Sequence, residues 1–177
     1  MYHYELSKYN PLYRIYKNGN RYYSRPDWTG ISDIGKTFNN STLSVSDYLK
    51  IETAYVDAVR TIMEYKKIDT LIWKGENFSK WQSSNDIKNR ISDALYSKLY
   101  TDEIFSIYDS LENGVVLNKN AIDKAVRLLL REEIGGILIF PRKLKVFVGY
   151  DYLMGVDSSS VLTPIQDEIE KLGLFLD

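Results

Sequence analysis

The sequence predicts an α+β fold in which about five helices pack on a small, mainly antiparallel sheet. Residues 128–157 contain a helix end, a glycine pair and a β-hairpin in direct succession. Other segments repeat apolar residues at helical spacing, and short runs rich in β-branched and aromatic residues stand between them. No repeat, low-complexity tract or linker interrupts the 177 residues, so we expect a single domain over residues 1–177.

A central hairpin gives the clearest sheet signal. Its predicted strands are 137–140 and 144–148, and Pro141 belongs to the turn because proline cannot donate to a sheet ladder. The glycine pair 135–136 is expected to end the preceding helix through positive φ angles. Residues 149–157 then predict a third strand or an edge extension with a bend at its glycines.

The N-terminal part predicts a second hairpin followed by loops. Residues 12–16 and 20–23 alternate well enough for two short strands, and the Asn-Gly pair 18–19 is the commonest two-residue hairpin turn. Residues 25–30 combine proline, tryptophan and glycine, which is typical of a loop. Residues 32–38 predict a short helical turn.

Capping patterns predict where the helices begin and end. Ser44 and Asp47 form a capping box before a helix that should end near Lys66. The later helices are predicted after Ser84, from Thr101 or Asp102, from an Asn118 cap to Ile134, and from a Thr163 cap, with Gln166 completing a capping box, to Gly173. The side chains predicted to face inward from the second helix are Ile87, Ile91, Ala94, Leu95 and Leu99. Short strands are expected within 68–74 and 115–117.

Composition excludes several kinds of chemistry. The chain has no cysteine, which excludes disulfides, thiolate catalysis and cysteine-ligated metal centres. His3 is its one histidine, so a Ser-His-Asp site would place its base at a terminus. No glycine-rich phosphate-binding motif occurs. No apolar run approaches the ~20 residues of a membrane span, and the first residues lack a signal-peptide pattern, so a cytoplasmic location is expected.

Charge is distributed unevenly although the net charge is −1. Residues 1–43 carry six basic against three acidic side chains, whereas residues 151–177 carry six acidic side chains against Lys171 alone. The near-zero total argues against a general nucleic-acid-binding surface. The acidic C-terminal part either complements a basic partner or is an ordinary solvated face, and the sequence leaves both readings open.

The N-terminal segments YELSKYNPLYR, DWTGISDIGKTF and SVSDYLKIETAYVDAVRTIM are similar to those of small bacterial immunity proteins of contact-dependent growth inhibition and related polymorphic toxin systems. The likeness covers about the first 65 residues. It implies a non-catalytic protein without a cofactor that binds the toxic C-terminal domain delivered by a neighbouring cell. That domain is frequently a nuclease, with an RNase acting on tRNA as one case. These proteins share no catalytic residues, so the resemblance assigns no residue a role.

The predicted partner-binding residues combine aromatic rings with carboxylates. Tyrosine, present fifteen times, offers a large and fairly rigid contact area with a polar tip. Carboxylates would complement the positive cleft of a nuclease and speed association. The predicted residues are Tyr150, Asp151, Tyr152, Asp157, Asp167, Glu168, Glu170 and Trp28.

Two other functions stay open at this point. One is a small hydrolase that uses two carboxylates, of which one would need a raised pKa. The other is a non-catalytic regulatory module that binds a different protein. If the acidic residues do not bind the partner, the next candidate is the basic N-terminal region around Arg25 and Trp28.

Overall fold

The computed structural model describes residues 1–75, 80, 82–91 and 96–177. Its strands in chain order are β1 (Tyr2–Ser7), β2 (Arg14–Lys17), β3 (Asn20–Tyr23), β4 (Thr37–Phe38), β5 (Ser41–Thr42), β6 (Thr70–Lys74), β7 (Val116–Asn118), β8 (Ile137–Phe140), β9 (Leu144–Val148), β10 (Met154–Ser158) and β11 (Phe175–Leu176). Its α-helices are α1 (Val45–Tyr65), α2 (Ser84–Arg90), α3 (Asp102–Ser110), α4 (Lys119–Leu130) and α5 (Gln166–Lys171).

The predicted α+β fold class is confirmed. Within the described ranges there are five α-helices and one sheet of seven strands in the order β11-β1-β10-β9-β8-β6-β7, in which every paired neighbour is antiparallel. The hairpin β8–β9 has the predicted bounds and lies in the middle of this sheet. The sheet has more strands than the sequence suggested, because the chain ends pair with each other: β1 lies between β10 and β11.

One face of the sheet holds the core. Across five strands, Tyr4, Val156, Val146, Leu138 and Trp73 stand opposite one another in a single row. All but Tyr4 are buried, and α1, α4 and α5 belong to the same apolar cluster. Alternate residues of a strand point to opposite faces. The helices therefore lie on the face that this row occupies.

The first helix has its predicted bounds and its predicted Ser44 cap, but the capping box is half formed, because Asp47 accepts from the hydroxyl of Ser44 rather than from its backbone N–H. The hydroxyl of Ser44 accepts a hydrogen bond from the N–H of Asp47 at 3.1 Å, and α1 ends at Tyr65 with Lys66 as its C-terminal cap. Its buried side chains recur at helical spacing, from Tyr48 to Met63. No helix in the described ranges is long and apolar enough to span a membrane.

The predicted end of α4 was wrong. The helix ends at Leu130, and Glu132, with φ of 59°, takes the left-handed conformation that had been assigned to the glycine pair. Gly136 does have positive φ, at 103°, but for another reason: a Cβ there would lie 2.4 Å from the carbonyl oxygen of Lys74 on β6. That glycine therefore permits the close approach of two strands rather than a helix end.

Other boundaries also differ. The second helix ends at Arg90, and residues 96–99 form a turn. Of its predicted inward-facing side chains, Ile87 and Leu99 are buried, whereas Ala94 and Leu95 lie outside the described residues.

The last two departures concern local caps and turns. A 3₁₀ turn over Thr163–Ile165 precedes α5, so Thr163 does not cap that helix. The predicted stop at Gly173 is confirmed, with φ of 84°. The predicted helical turn over 32–38 is confined to Ile31–Asp33, and Phe38 belongs to the short hairpin β4–β5.

Candidate partner-binding surface

The hairpin β2–β3 forms a small sheet of its own, apart from the main sheet. Its turn residues Asn18 and Gly19 have φ angles of 52° and 77°, as a type I′ turn requires. The register pairs Arg14 with Tyr23, Ile15 with Tyr22, Tyr16 with Arg21 and Lys17 with Asn20. Residues that stand opposite each other share a face. One face therefore carries Arg14, Tyr16, Arg21 and Tyr23, and the other carries Ile15, Lys17, Asn20 and Tyr22.

The first of these faces, the inner face, fastens the hairpin to the body. Arg21 makes a two-point ion pair with Glu5 of β1, at 2.6 and 2.7 Å, and Arg14 pairs with the carboxylate of Asp177. The ring of Tyr23 lies 4.8 Å from the ring of Tyr9. The two ion pairs are partly exposed, so each contributes about 1 kcal/mol or less to stability. They fix the hairpin's orientation more than they stabilise the fold.

The second face, together with Leu12, is the outer surface of the hairpin, and Tyr16 is exposed on the opposite face near the turn. Leu12 is 87% exposed, Tyr16 is 70% exposed, and the cross-strand neighbours Ile15 and Tyr22 are each 48% exposed. Ten large apolar or tyrosine side chains are exposed in the described part of the chain, and four of them lie within residues 12–22. Grouped exposed apolar side chains with charged neighbours are typical of interaction sites.

The structure divides the sequence-predicted residues into two groups. Tyr150 is 90% exposed, and Asp151 is exposed beside it. The three acids of α5, Asp167, Glu168 and Glu170, are also exposed. The other three predicted residues are Trp28, Tyr152 and Asp157.

Trp28 and Tyr152 do not offer their rings to a partner, because both side chains are buried. Their ring centroids lie 5.0 Å apart, and Tyr48 and Tyr55 pack against Tyr152 at 5.9 and 5.3 Å. These rings form one aromatic cluster in the core. The prediction that Trp28 and Tyr152 bind a partner through their side chains is therefore corrected: these side chains stabilise the core.

Backbone geometry explains why Tyr150 and Asp151 are exposed while Tyr152 is buried. Asp151 and Tyr152 have φ angles of 58° and 63°, a conformation that costs roughly 1–2 kcal/mol for each residue with a side chain. Two buried hydroxyls hold it: Tyr9 donates to the carbonyl of Asp151, and Tyr55 donates to the carbonyl of Tyr152, both at 2.7 Å. The chain reverses here, so the ring of Tyr152 enters the core.

Asp157 is a weak candidate for a partner contact. Its carboxylate lies 2.7 Å from Nδ1 of His3 and 3.5 Å from Nζ of Lys145, on neighbouring strands. The hydrogen bond with His3 lowers the pKa of Asp157. Its charge is already balanced within the sheet, so a partner would gain little from it.

Lys8 ties the N-terminal loop to the aromatic cluster. Its ammonium lies 2.6 Å from the carboxylate of Asp27 and within 4.2 Å of the ring centroids of Tyr9 and Trp28. Burial lowers the pKa of Lys8 to about 8, against the opposing effect of Asp27. A cleft of about 280 Å³ lies nearby, at the base of the hairpin. Tyr22, Arg25 and Asp151 are among the residues that line it.

The carboxylates do not favour the hydrolase alternative. Three carboxylates are buried among the described residues, and all are paired with arginines: Glu52 with Arg127 and Arg131, Glu133 with Arg90, and Asp123 with Arg60. Where the pKa of a described carboxyl group departs from its ordinary value, it is lowered, whereas a general acid needs a raised value. Among the described residues no group of three potential ligands could hold a metal ion.

The sequence prediction found the hairpin but assigned no partner role to Leu12, Ile15, Tyr16 or Tyr22. The signal was present, because an Asn-Gly turn fixes the register and places Ile15 opposite Tyr22. What the sequence did not give was which face the body covers. That depends on Glu5 and Asp177, which lie outside the hairpin in sequence and pair with its arginines only in the folded chain.

Comparisons of this chain with protein-family models, with curated proteins and with solved structures found no match.

Proposed function

We propose that this chain is a cytoplasmic immunity protein that binds and neutralises the cognate toxin domain of a contact-dependent growth inhibition system. The toxin class we propose is a nuclease, with an RNase acting on tRNA as the specific case. The observation that carries the proposal is the outer surface of the hairpin, where Leu12, Ile15 and Tyr22 are exposed together, with Tyr16 exposed near the turn on the other face. The resemblance of the first 65 or so residues supplies the kind of partner.

This surface has the properties that protein binding requires. Tyrosine is one of the side chains that supply most of the binding energy at protein interfaces, and apolar neighbours exclude water around it. The type I′ turn and the ion pairs of Arg14 and Arg21 hold the hairpin before a partner arrives. A preformed strand pair loses less conformational entropy on binding than a mobile loop does.

A second surface supports the same proposal. Tyr150 extends into solvent beside Asp151, and α5 presents Asp167, Glu168 and Glu170. Carboxylates facing a basic nuclease would accelerate association, and this effect weakens as salt is added. In this proposal the acids guide the encounter, and the hairpin supplies apolar contact.

The test is growth of cells induced to express the C-terminal domain of the protein encoded immediately upstream, with and without this chain. We expect co-expression to restore growth, and purified chain to bind the purified domain. A chain with Tyr65→Ala is a suitable control, since Tyr65 is exposed on α1 and away from the hairpin in sequence. Continued killing by a domain shown to be toxic, with this chain folded in the same cells, would contradict the proposal.

A further inference from the structure

We infer that the outer surface of the β2–β3 hairpin binds an acidic patch with an apolar centre on the toxin domain. The central contact is then made by the basic N-terminal part of the chain, and the acids of α5 lie outside it. This inference rests on the proposed function and adds the chemistry of the partner surface to it.

Charge complementarity indicates an acidic partner surface. Residues 10–26 contain four basic side chains, Arg14, Lys17, Arg21 and Arg25, and no acidic one. Arg14 and Arg21 are neutralised by Asp177 and Glu5. The charges that a partner meets are therefore those of Lys17 and Arg25, which are both exposed.

These two cations are available in different ways. Lys17 lies on the outer face and makes no ion pair with a described residue, so its ammonium is free to meet a carboxylate. Arg25 lies 3.8 Å over the ring of Tyr13, a stacked position that leaves the guanidinium edge free for a two-point contact. A basic patch on the toxin domain would be repelled here, which gives the surface its selectivity.

The apolar centre follows from the register. Ile15 and Tyr22 are cross-strand neighbours on the outer face, and Leu12 precedes them in the 3₁₀ turn Pro11–Tyr13. None of Leu12, Ile15 and Tyr22 belongs to the core cluster or packs against it. These side chains can bury apolar area against a partner without any rearrangement of this chain.

The separation of the two faces makes the inference testable with folded variants. The ion pairs of the inner face stay intact when Ile15, Lys17 or Tyr22 is changed. Such variants should keep the circular dichroism spectrum and thermal midpoint of the wild type. Lys17→Glu alone is the safest variant, because Lys17 is exposed and lies beside the turn.

The experiment is a solution titration of this chain with the purified C-terminal domain of the protein encoded immediately upstream. Binding is measured at about 50 mM and about 500 mM salt. We expect Lys17→Glu with Arg25→Glu to weaken binding by about tenfold or more at low salt and by much less at high salt. Tyr22→Ala is expected to weaken binding by about thirtyfold at both salt concentrations, mainly through faster dissociation.

The matched control is Asp167→Lys with Glu168→Lys on α5, which changes the net charge by the same amount in the opposite direction. We expect this variant to associate more slowly at low salt, but to dissociate at a rate within about threefold of the wild type and to bind within about threefold of it at high salt. If the α5 variant loses binding while Lys17→Glu and Tyr22→Ala bind as the wild type does, the inference is overturned and the proposed function stands. If the wild type itself does not bind a domain shown to be toxic, the proposed function fails, and the inference fails with it because it names that domain.

Discussion

The buried ion network around Glu52 offers the sharpest test of what holds the fold together. Glu52 on α1 is fully buried and accepts hydrogen bonds from Nε and Nη2 of Arg131 at 2.6 and 2.7 Å, and from Nη1 of Arg127 at 2.5 Å. Burial disfavours the charged guanidinium of Arg131, but Glu52 keeps the pKa of Arg131 above its ordinary value. This carboxylate therefore joins α1 to the end of α4.

We predict that Glu52→Gln lowers the free energy of unfolding by about 3 to 4 kcal/mol. Removing one partner of a buried pair costs roughly 3–5 kcal/mol, because the remaining charge stays buried without compensation. The lower part of that range applies because Arg131 keeps its hydrogen bond to the carbonyl of Leu99 and its position over the ring of Tyr100. The thermal midpoint should fall by roughly 10 °C.

The measurement is urea unfolding at pH 7, followed by circular dichroism and by tryptophan fluorescence, with the free energy extrapolated to water. Asp69→Asn is the control, since the Lys119–Asp69 pair is largely exposed and should contribute less than about 0.5 kcal/mol. Glu52→Leu combined with Arg131→Met should cost much less than the single change, because no charge remains unpaired beyond that of Arg127. A loss below about 1 kcal/mol for Glu52→Gln would refute the reasoning.

Three further predictions concern the aromatic cluster, a close strand contact and alkaline pH. Tyr55→Phe should cost about 2 kcal/mol in urea unfolding, because the buried carbonyl of Tyr152 loses its donor. Gly136→Ala should cost more than about 2 kcal/mol, since its Cβ would meet the carbonyl of Lys74, whereas Gly30→Ala, with open space around it, should cost under about 1 kcal/mol. Burial raises the pKa of several tyrosines above the ordinary value of about 10. In that case the folded state holds protons that the unfolded state loses. The contribution of these tyrosines to the free energy of unfolding should therefore be constant below about pH 10 and fall steeply above it, by about 1.4 kcal/mol per pH unit for each such tyrosine. These residues are Tyr9, Tyr48, Tyr55, Tyr100, Tyr108 and Tyr152.

Features encoded by neighbouring residues could be predicted from the sequence. The turn at Asn18–Gly19, the cap at Ser44 and the hairpin over 137–148 depend on side chains within a few positions of one another, and all three are confirmed. The end of α4 could not be predicted in this way. There Glu132 takes the left-handed conformation and the N–H of Glu133 donates to the carbonyl of Leu128, while Arg131 pairs with Glu52, which lies 79 residues earlier in the chain.

The candidate surface shows the same limit. Tyrosine is enriched at interfaces, so the sequence favours Tyr152 as a contact residue. Its burial could not be predicted, because it depends on the hydroxyls of Tyr9 and Tyr55 that hold the strained backbone at residues 151 and 152. The acids of α5 are exposed as predicted, since a short helix packed on one side leaves its charged residues in water. Exposure alone does not distinguish a binding surface from a solvated one.

The hairpin differs from α5 because the side chains that it exposes are largely apolar or aromatic rather than charged. An isolated two-stranded hairpin is marginally stable in water, and Arg14 and Arg21 hold this one against the body by ion pairs of modest strength. Its outer side chains, Ile15 and Tyr22 in particular, add nothing to the core cluster while they expose apolar area. The folding energy of the chain is therefore nearly independent of which side chains stand on that face, so replacing Ile15 or Tyr22 tests the proposed contact with the toxin domain separately from the stability of the fold.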